Sequence, residues 1–458
     1  MNAPLSRFAR LLMAVLLLMV AARPATAEDT QVLRDSETEL LFKDISRPLI
    51  KGAGLDPASV DVVLLGDPEI NAFVATGQTV YIQAGLLEAS DDVGQLQGVI
   101  AHELGHVAGG HSIRIAEGQR EATGITIATL VLGALEIADG AGNAGMGIMM
   151  AGQQAALGRF LAFSRTQESS ADQAGAKYLT AAGVSGKGLI AFFGKLQNQE
   201  YRLAIYAKDS YARTHPLSSE RVDALTQVLR SQPAWDRPPD PELNARFLRV
   251  KAKLFGFTNP AQAVIKYPET DKSVPAHYAR AYAYHISGYP DKAMSEAEAL
   301  LATNPDDPFL LELKGQILLE GGKPAEAIAP LREAVQRSQN APLIAAMLGH
   351  ALVATEDRKN FAEAKQVLKA AVSRDNQNPF AWYQLGVIYD REGDPSRAQL
   401  ATAERSNLED KPTLALANAE MAMKGIPTGS PDWLRAQDIA MVSRAELKKK
   451  KNKKDRDE

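Results

Sequence analysis

Four times between residues 281 and 412 the chain returns to a small residue at almost the same interval. Ala281, Gly315, Gly349 and Gly386 stand 34, 34 and 37 residues apart, and Ala293, Ala327, Ala364 and Ala398 recur at 34, 37 and 34. Pro308, Pro342, Pro379 and Pro412 mark the joins. A period of this length is a pair of helices with its turns, and small residues at fixed points let the paired helices approach closely. One such pair cannot bury its apolar face alone. It buries that face on the next pair, so the second half of the chain is constrained to a helical stack.

The first half has no such period. Residues 28–60 read as an opening helical region, Asp61-Val62-Val63-Leu64-Leu65 as a strand, and Asn71–Ala75 with Thr79–Ile82 as a hairpin turning at Thr76-Gly77-Gln78. From Gly94 to His106 the pattern becomes helical. A few strands followed by helices is an α+β order. Ser231–Glu242 then carries Pro233, Pro238, Pro239 and Pro241, a density that ends helices and predicts a linker. A chain of 458 residues has room for more than one domain. The expected fold is mainly α with a small β-sheet: an α+β domain over 28–230, a linker over 231–242 and a helical solenoid over 243–440. The lysine run from Lys448 to Lys454 makes 441–458 a charged tail, expected to be disordered and solvated.

The beginning of the chain reads as an address. Arg7 and Arg10 precede an apolar run from Leu11 to Ala22, and Ala25-Thr26-Ala27 supplies a small-x-small cleavage site. Residues 1–27 are expected to be a cleaved secretory signal peptide, because the run falls short of the roughly 20 residues that span a bilayer. The chain has no cysteine, which excludes disulfides, thiolate nucleophiles and thiolate metal ligands. Secretion without cysteine fits the periplasm of a Gram-negative bacterium. A net charge of −4 leaves no nucleic-acid footprint.

Residues 123–158 are nearly free of charge. Ile125–Leu135 is almost wholly apolar, Gly140, Gly142, Gly145 and Gly147 loosen the pattern, and Ala144–Ala151 resumes it. Glu136 and Asp139 interrupt the run, and each piece is too short to span a membrane. A mobile or core-packed helical hairpin is the expected structure. The alternative is a lid over the active site, or a segment in peripheral contact with a membrane.

Chemistry concentrates in Ala101-His102-Glu103-Leu104-Gly105-His106. Positions i and i+4 share a helix face, so His102 and His106 present two imidazoles to one metal ion. Glu103 lies beside them, placed to take a proton from an attacking water. Two ligands and a general base are what metal-dependent peptide hydrolysis requires. Leu96, Val99 and Ile100 form an apolar stripe on the preceding turns, so one side of this helix is expected to be buried. Gly105 costs helix stability and admits a neighbouring element. His111 lies beyond close ligand spacing and is expected at the surface or behind a ligand. A catalytic zinc also needs a third protein ligand. Glu168 is a candidate, with Asp172 one turn later to accept the ring N–H of a ligand histidine. By spacing alone a pair of helical carboxylates is usually just a solvated face.

These motifs carry a resemblance. Trp382-x-x-Leu385-Gly386-x-x-Tyr389 matches the tetratricopeptide pattern at each fixed position. His102-Glu103-x-x-His106, Glu168-x-x-Ala171-Asp172 and Thr214-His215-Pro216 with Arg221 resemble the CAAX-prenyl-protease and HtpX-type family of gluzincins. The leader and the repeats are similar to its soluble periplasmic branch, which is tied to β-barrel assembly. The resemblance implies one Zn2+ per chain held by His102, His106 and Glu168, with Glu103 as catalytic base and Asp172 supporting a ligand. It implies that His215 sits beside the metal, either as a fourth ligand at rest, the preferred reading, or as a donor to the developing oxyanion. Arg221 is expected to contact substrate or transition state. So are Val80 and Tyr81, if strand Thr79–Ile82 lies at a sheet edge and takes up unfolded chain as an added strand. The implied partners are unfolded or misfolded proteins and, through the repeats, the outer-membrane protein assembly machinery. The competing reading is a repeat-based chaperone or scaffold with a degenerate protease domain. The complete set His102, Glu103, His106 and Glu168 favours the enzyme. A structural zinc site would use four closed ligands rich in cysteine, which this chain lacks.

Overall fold

The computed structural model describes residues 31–75, 77–138, 142–203, 215 and 217–457. The expected signal peptide lies outside the described residues, as do Thr214 and Pro216. The chain opens with strand β1 (Val32–Leu33) and helix α1 (Ser36–Gly52), whose first turn is capped by the Asp35 carboxylate accepting from the Thr38 amide. Strands β2 (Asp61–Leu65), β3 (Ala72–Val74) and β4 (Thr79–Gln83) follow, then α2 (Ala84–Ala89) and α3 (Val93–Ala108). The strands form one sheet in the order β1-β2-β4-β3, with β2 parallel to β4 and the other neighbours antiparallel.

That order corrects one expectation. Strand β4, with Val80 and Tyr81, is not an edge: β2 covers the side that its hairpin partner β3 leaves open. Alternation across a hairpin reveals who pairs over the turn and is silent about the outer side. The edge on this side of the sheet is β3.

Helix α3 begins at an Asp92 cap, the carboxylate accepting from the Gln95 amide. Helices α4 (His111–Ala138), α5 (Gly142–Ala182), α6 (Lys187–Leu203) and α7 (Ser219–Arg230) come next. Every residue from Val93 to His106 is buried, so α3 is enclosed all round and not on one face as its stripe implied. Leu41 and Ile45 of α1, Val80 and Ile82 of β4, and Phe192 and Phe193 of α6 share its core. Helix α5 crosses it at two glycines. A Cβ on Gly105 would stand 2.7 Å from the Ala171 carbonyl oxygen, and one on Gly175 would stand 3.1 Å from that of Ala101. Helices α4 and α5 pair as a long hairpin. It is not packed into the core, because Ile127, Val131, Leu132 and Met150 are exposed. No helix among the described residues is long and apolar enough to cross a membrane.

Helices α8 (Pro241–Thr258) and α9 (Pro260–Lys266) lead into a stack of paired helices. These are α10 (Val274–Ile286), α11 (Pro290–Thr303), α12 (Pro308–Glu320), α13 (Pro324–Arg337), α14 (Pro342–Ala354), α15 (Phe361–Arg374), α16 (Pro379–Arg391), α17 (Pro395–Leu408), α18 (Pro412–Gly425) and α19 (Pro431–Asp457). The recurrent prolines open helices, where a missing N–H costs nothing. The recurrent glycines face the partner helix: a Cβ on Gly315 would collide with Leu331, and one on Gly349 with Leu368.

Two boundaries differ from expectation. Phe247, Val250 and Leu254 of α8 belong to the α+β core, while α8 also pairs with α10. Residues 231–242 are therefore no divider between independent cores. A proline cluster ends one helix and starts another without saying where the second packs. The tail expected to be disordered is helical through Asp457. Ala436, Ile439 and Ala440 pack against α17 and α18, and the Lys-, Glu- and Arg-rich remainder prolongs a helix already nucleated.

A charged seam also joins α8 to both halves. Lys253 pairs with Asp35 and Glu37, Arg249 bridges Glu37 and Asp307, and the Tyr278 hydroxyl donates to Glu37 at 2.6 Å. Burial works to raise the Asp35 pKa, but the Lys253 ammonium outweighs it and holds the carboxyl below its ordinary range.

Candidate metal centre

The turn between α3 and α4 starts the site. Gly110 adopts φ +61°, a conformation that favours glycine, and the tight Gly109-Gly110 turn folds His111 back under His106. His102 and His106 point their Nε2 atoms at a common volume, 3.1 Å apart. Because α5 crosses α3 so closely, Glu168 enters the same volume: its oxygens lie 3.5 Å from His102 Nε2 and 3.3 Å from His106 Nε2. His215, just before α7, brings Nδ1 to 3.3 Å from His102 Nε2 and 3.2 Å from the Glu168 carboxylate. Its Nε2 faces the Ala72 carbonyl of the edge strand β3 at 3.3 Å. One ligand atom from each of His102, His106, Glu168 and His215 lies within 4.8 Å of every other, and all four residues are buried.

These separations are those of a cation cage. A tetrahedron with ligand distances of about 2.0–2.2 Å has edges of roughly 3.3–3.6 Å. The approaches quoted run from 3.1 to 3.5 Å. Glu103 adds a second mark: both its carboxylate oxygens are buried and neither accepts a hydrogen bond, an arrangement that is costly unless a ligand or water completes it.

Behind the cluster stands a layer of support. Asp172 Oδ1 lies 3.0 Å from His102 Nδ1 in an ion-pair contact. Arg221 grips Asp172 with two hydrogen bonds, Nε at 2.8 Å and Nη2 at 2.9 Å, and reaches Glu168 at 3.2 Å. Its guanidinium thus binds both carboxylates. Its place in the first turn of α7, capped by Ser218, aims it at α5. His111 Nδ1 lies 3.0 Å from His106 Nδ1, so the two ligand-type histidines are backed differently, one by a carboxylate and one by an imidazole. Val80 is buried in the core and Tyr81 stacks on Phe73 at 5.3 Å; neither joins the cluster.

The electrostatics follow from the neighbours. Burial opposes charge on His102, yet Asp172 and Glu168 overcome it and push its pKa up to about 10. Burial pushes His106 down, and it pushes His111 down to about 4 with help from His106. Glu168 is buried too, but His102, His106 and His215 hold it far below the carboxylate range. A carboxylate kept ionised against imidazoles is what a metal ligand needs.

Fold and site together define a metallopeptidase of gluzincin type joined to a tetratricopeptide solenoid. Peptidase family M48 matches residues 37–229, and the tetratricopeptide repeat matches 274–317. The chain is 26% identical over 385 residues to a beta-barrel assembly-enhancing protease of Yersinia pestis, covering 81% of this chain and 76% of that one. It is 28% identical over 282 residues to the Escherichia coli K12 protein of the same name, covering 59% of this chain and 56% of that one. With metalloprotease LoiP of Escherichia coli K12 it shares 30% identity over 194 residues, 42% of this chain and 70% of LoiP. The chain belongs to peptidase family M48.

Proposed function

We propose that the chain is a zinc-dependent endopeptidase of the periplasm, acting on misfolded or stalled envelope proteins and serving their assembly as well as their clearance. The observation that carries this reading is Glu103, a buried carboxylate with no hydrogen-bond donor, set beside three imidazoles and a glutamate. Nitrogen and oxygen donors in a tetrahedral array suit zinc. His102, His106 and Glu168 would hold it. When bound, the ion polarises the scissile carbonyl and lowers the pKa of an attacking water toward about 7. Glu103 takes the proton of that water and returns it to the leaving amine. Asp172 orients His102, Arg221 orients Asp172 and Glu168, and His111 orients His106. His215 at ligand distance supports the resting-state reading, since a fourth protein ligand closes the position that a catalytic zinc keeps open.

Substrate would add to the β3 edge, whose Ala72 carbonyl adjoins His215. Main-chain pairing there is largely blind to sequence, as clearance of misfolded chains requires. The relatives' name and the repeats support a partner in outer-membrane protein assembly, and the Arg7-to-Ala27 leader supports the address. Metal analysis and casein digestion of the purified protein test the reading. One zinc per chain is expected, with activity lost on chelation and restored by zinc. Absence of stoichiometric metal, or digestion indifferent to chelation, would contradict it.

A further inference from the structure

The hairpin of α4 and α5 has no part in the chemistry above, yet α5 itself reaches the metal centre. Met146, Met150, Leu157, Leu161 and Glu168 follow one another at intervals of 4, 7, 4 and 7 residues. That spacing is one face of a helix, and α5 runs unbroken from Gly142 to Ala182. Over the hairpin this face is apolar and open: Met146 is 55% exposed, Met150 63%, Leu157 59% and Leu161 38%. At Glu168 the same face is buried among His102, His106 and His215. No charged residue occurs in α5 before Arg159, which stands two positions from both Leu157 and Leu161 and so on the far side of the helix. Single exposed apolar residues are ordinary, but four in line without a charge among them mark an interaction surface.

The stripe is separate from the contact that holds the hairpin together. A Cβ on Gly152 would overlap Thr129, one on Gly133 would meet Met149, and one on Gly118 would meet Phe163. On α4, Ile127 and Val131 are exposed as well, but they stand two positions either side of Thr129, about 200° round their helix. They face away from α5 and from the metal. What lies on the α5 stripe must be apolar, and it must continue into the site. An unfolded polypeptide does both, and flexible methionine side chains adapt to many apolar partners. A second copy of this hairpin does not, because a helix pairs its backbone internally and has none to offer the β3 edge. Leu161 and Met146 stand roughly 10 Å and 33 Å along the helix from Glu168 at ~1.5 Å per residue. An extended chain at ~3.3 Å per residue covers those distances with about three and ten residues.

We propose that the Met146–Leu161 stripe of α5 captures an apolar stretch of an extended substrate chain and leads the adjoining segment to the metal centre. The captured side chains then lie about three to ten residues from the scissile bond. The inference rests on the peptidase reading and deepens it, since it names the class of substrate: an unfolded chain with an apolar stretch at that remove from the cut. A folded protein keeps such stretches in its core, so the stripe selects chains that have lost their fold or not yet reached it.

Capture and cleavage are measured separately on the full chain, with reduced, carboxymethylated α-lactalbumin as a permanently unfolded probe. Fluorescence anisotropy of the labelled probe on Glu103→Gln reads capture without hydrolysis. Adding Met150→Asp with Leu157→Asp should weaken capture at least about tenfold, because two apolar anchors are lost. With Glu103 intact, the same pair should raise KM for the probe and leave kcat nearly unchanged. Ile127→Asp with Val131→Asp, on the far side of α4, should alter capture by less than about twofold. Circular dichroism and metal content report that each variant is folded. The proposal is overturned if Glu103→Gln does not bind the probe, if the α5 pair binds it as the parent does, or if the α4 pair weakens binding as much. It is equally overturned if the α5 pair changes only the oligomeric state or the binding of lipid vesicles. Capture that depends on the stripe in a chain whose Glu103-intact form digests no casein would contradict the peptidase reading instead.

Discussion

His102 and His106 are one turn apart, yet they rest on different partners, Asp172 for one and His111 for the other. The ligand set and its supports should therefore separate by mutation. Glu168→Ala is expected to lower both metal content and activity. Asp172→Ala should lose less, about 10–100-fold in affinity or activity, as for a group acting through a ligand. Full metal retention in Glu168→Ala would point to another third ligand. His215→Ala should raise basal proteolysis and self-cleavage while metal stays bound; reduced hydrolysis at unchanged metal content would make His215 a participant in catalysis instead. His102, Glu103 and His106 were legible in the sequence because i,i+4 spacing determines a shared face. Glu168 was not legible from spacing, since it lies 62 positions beyond His106 and only the resemblance singled it out. The commitment of Arg221 to Asp172 was hidden for the same reason: it depends on where α7 meets α5.

At the scale of elements, the site depends on how closely α3 and α5 cross. Gly105→Val would drive a branched side chain into the Ala171 backbone, at an overpacking cost of about 1–3 kcal/mol. Because Glu168 precedes Ala171 by one turn, metal content should fall along with the melting temperature. A variant that is destabilised yet binds metal normally would show that Glu168 is placed by something other than this crossing. The glycine itself was visible in the sequence, but not the element it admits. The strands were likewise visible at 61–65, 71–75 and 79–82, whereas the short β1 and the parallel β2–β4 pairing were not. That pairing leaves β3 as the edge facing His215, and it depends on tertiary packing that local alternation does not encode.

For the whole molecule, the repeat period made the solenoid legible and the prolines put the seam in the wrong place. Helix α8 belongs to both halves through Phe247, Val250 and Leu254 on one side and the Lys253–Asp35–Glu37 cluster on the other. Lys253→Ala would leave the half-buried Asp35 without its cation while Glu37 keeps Arg249, at a cost of about 1–3 kcal/mol. The depressed Asp35 pKa means its stabilisation is present above the ordinary carboxylate value of about 3.9 and is lost as pH falls through the lower folded value. The stability gap between wild type and Lys253→Ala, read from denaturant titrations, should accordingly narrow below about pH 4. A gap that persists unchanged in acid would mean that the pair contributes little. The seam and the crossing serve to hold one buried carboxylate beside one metal, and that is where the account is most exposed. Metal content and casein hydrolysis measured on Glu103→Gln test it most directly: zinc at the wild-type level with hydrolysis abolished is the predicted result, and digestion at near the wild-type rate is the result that would contradict it.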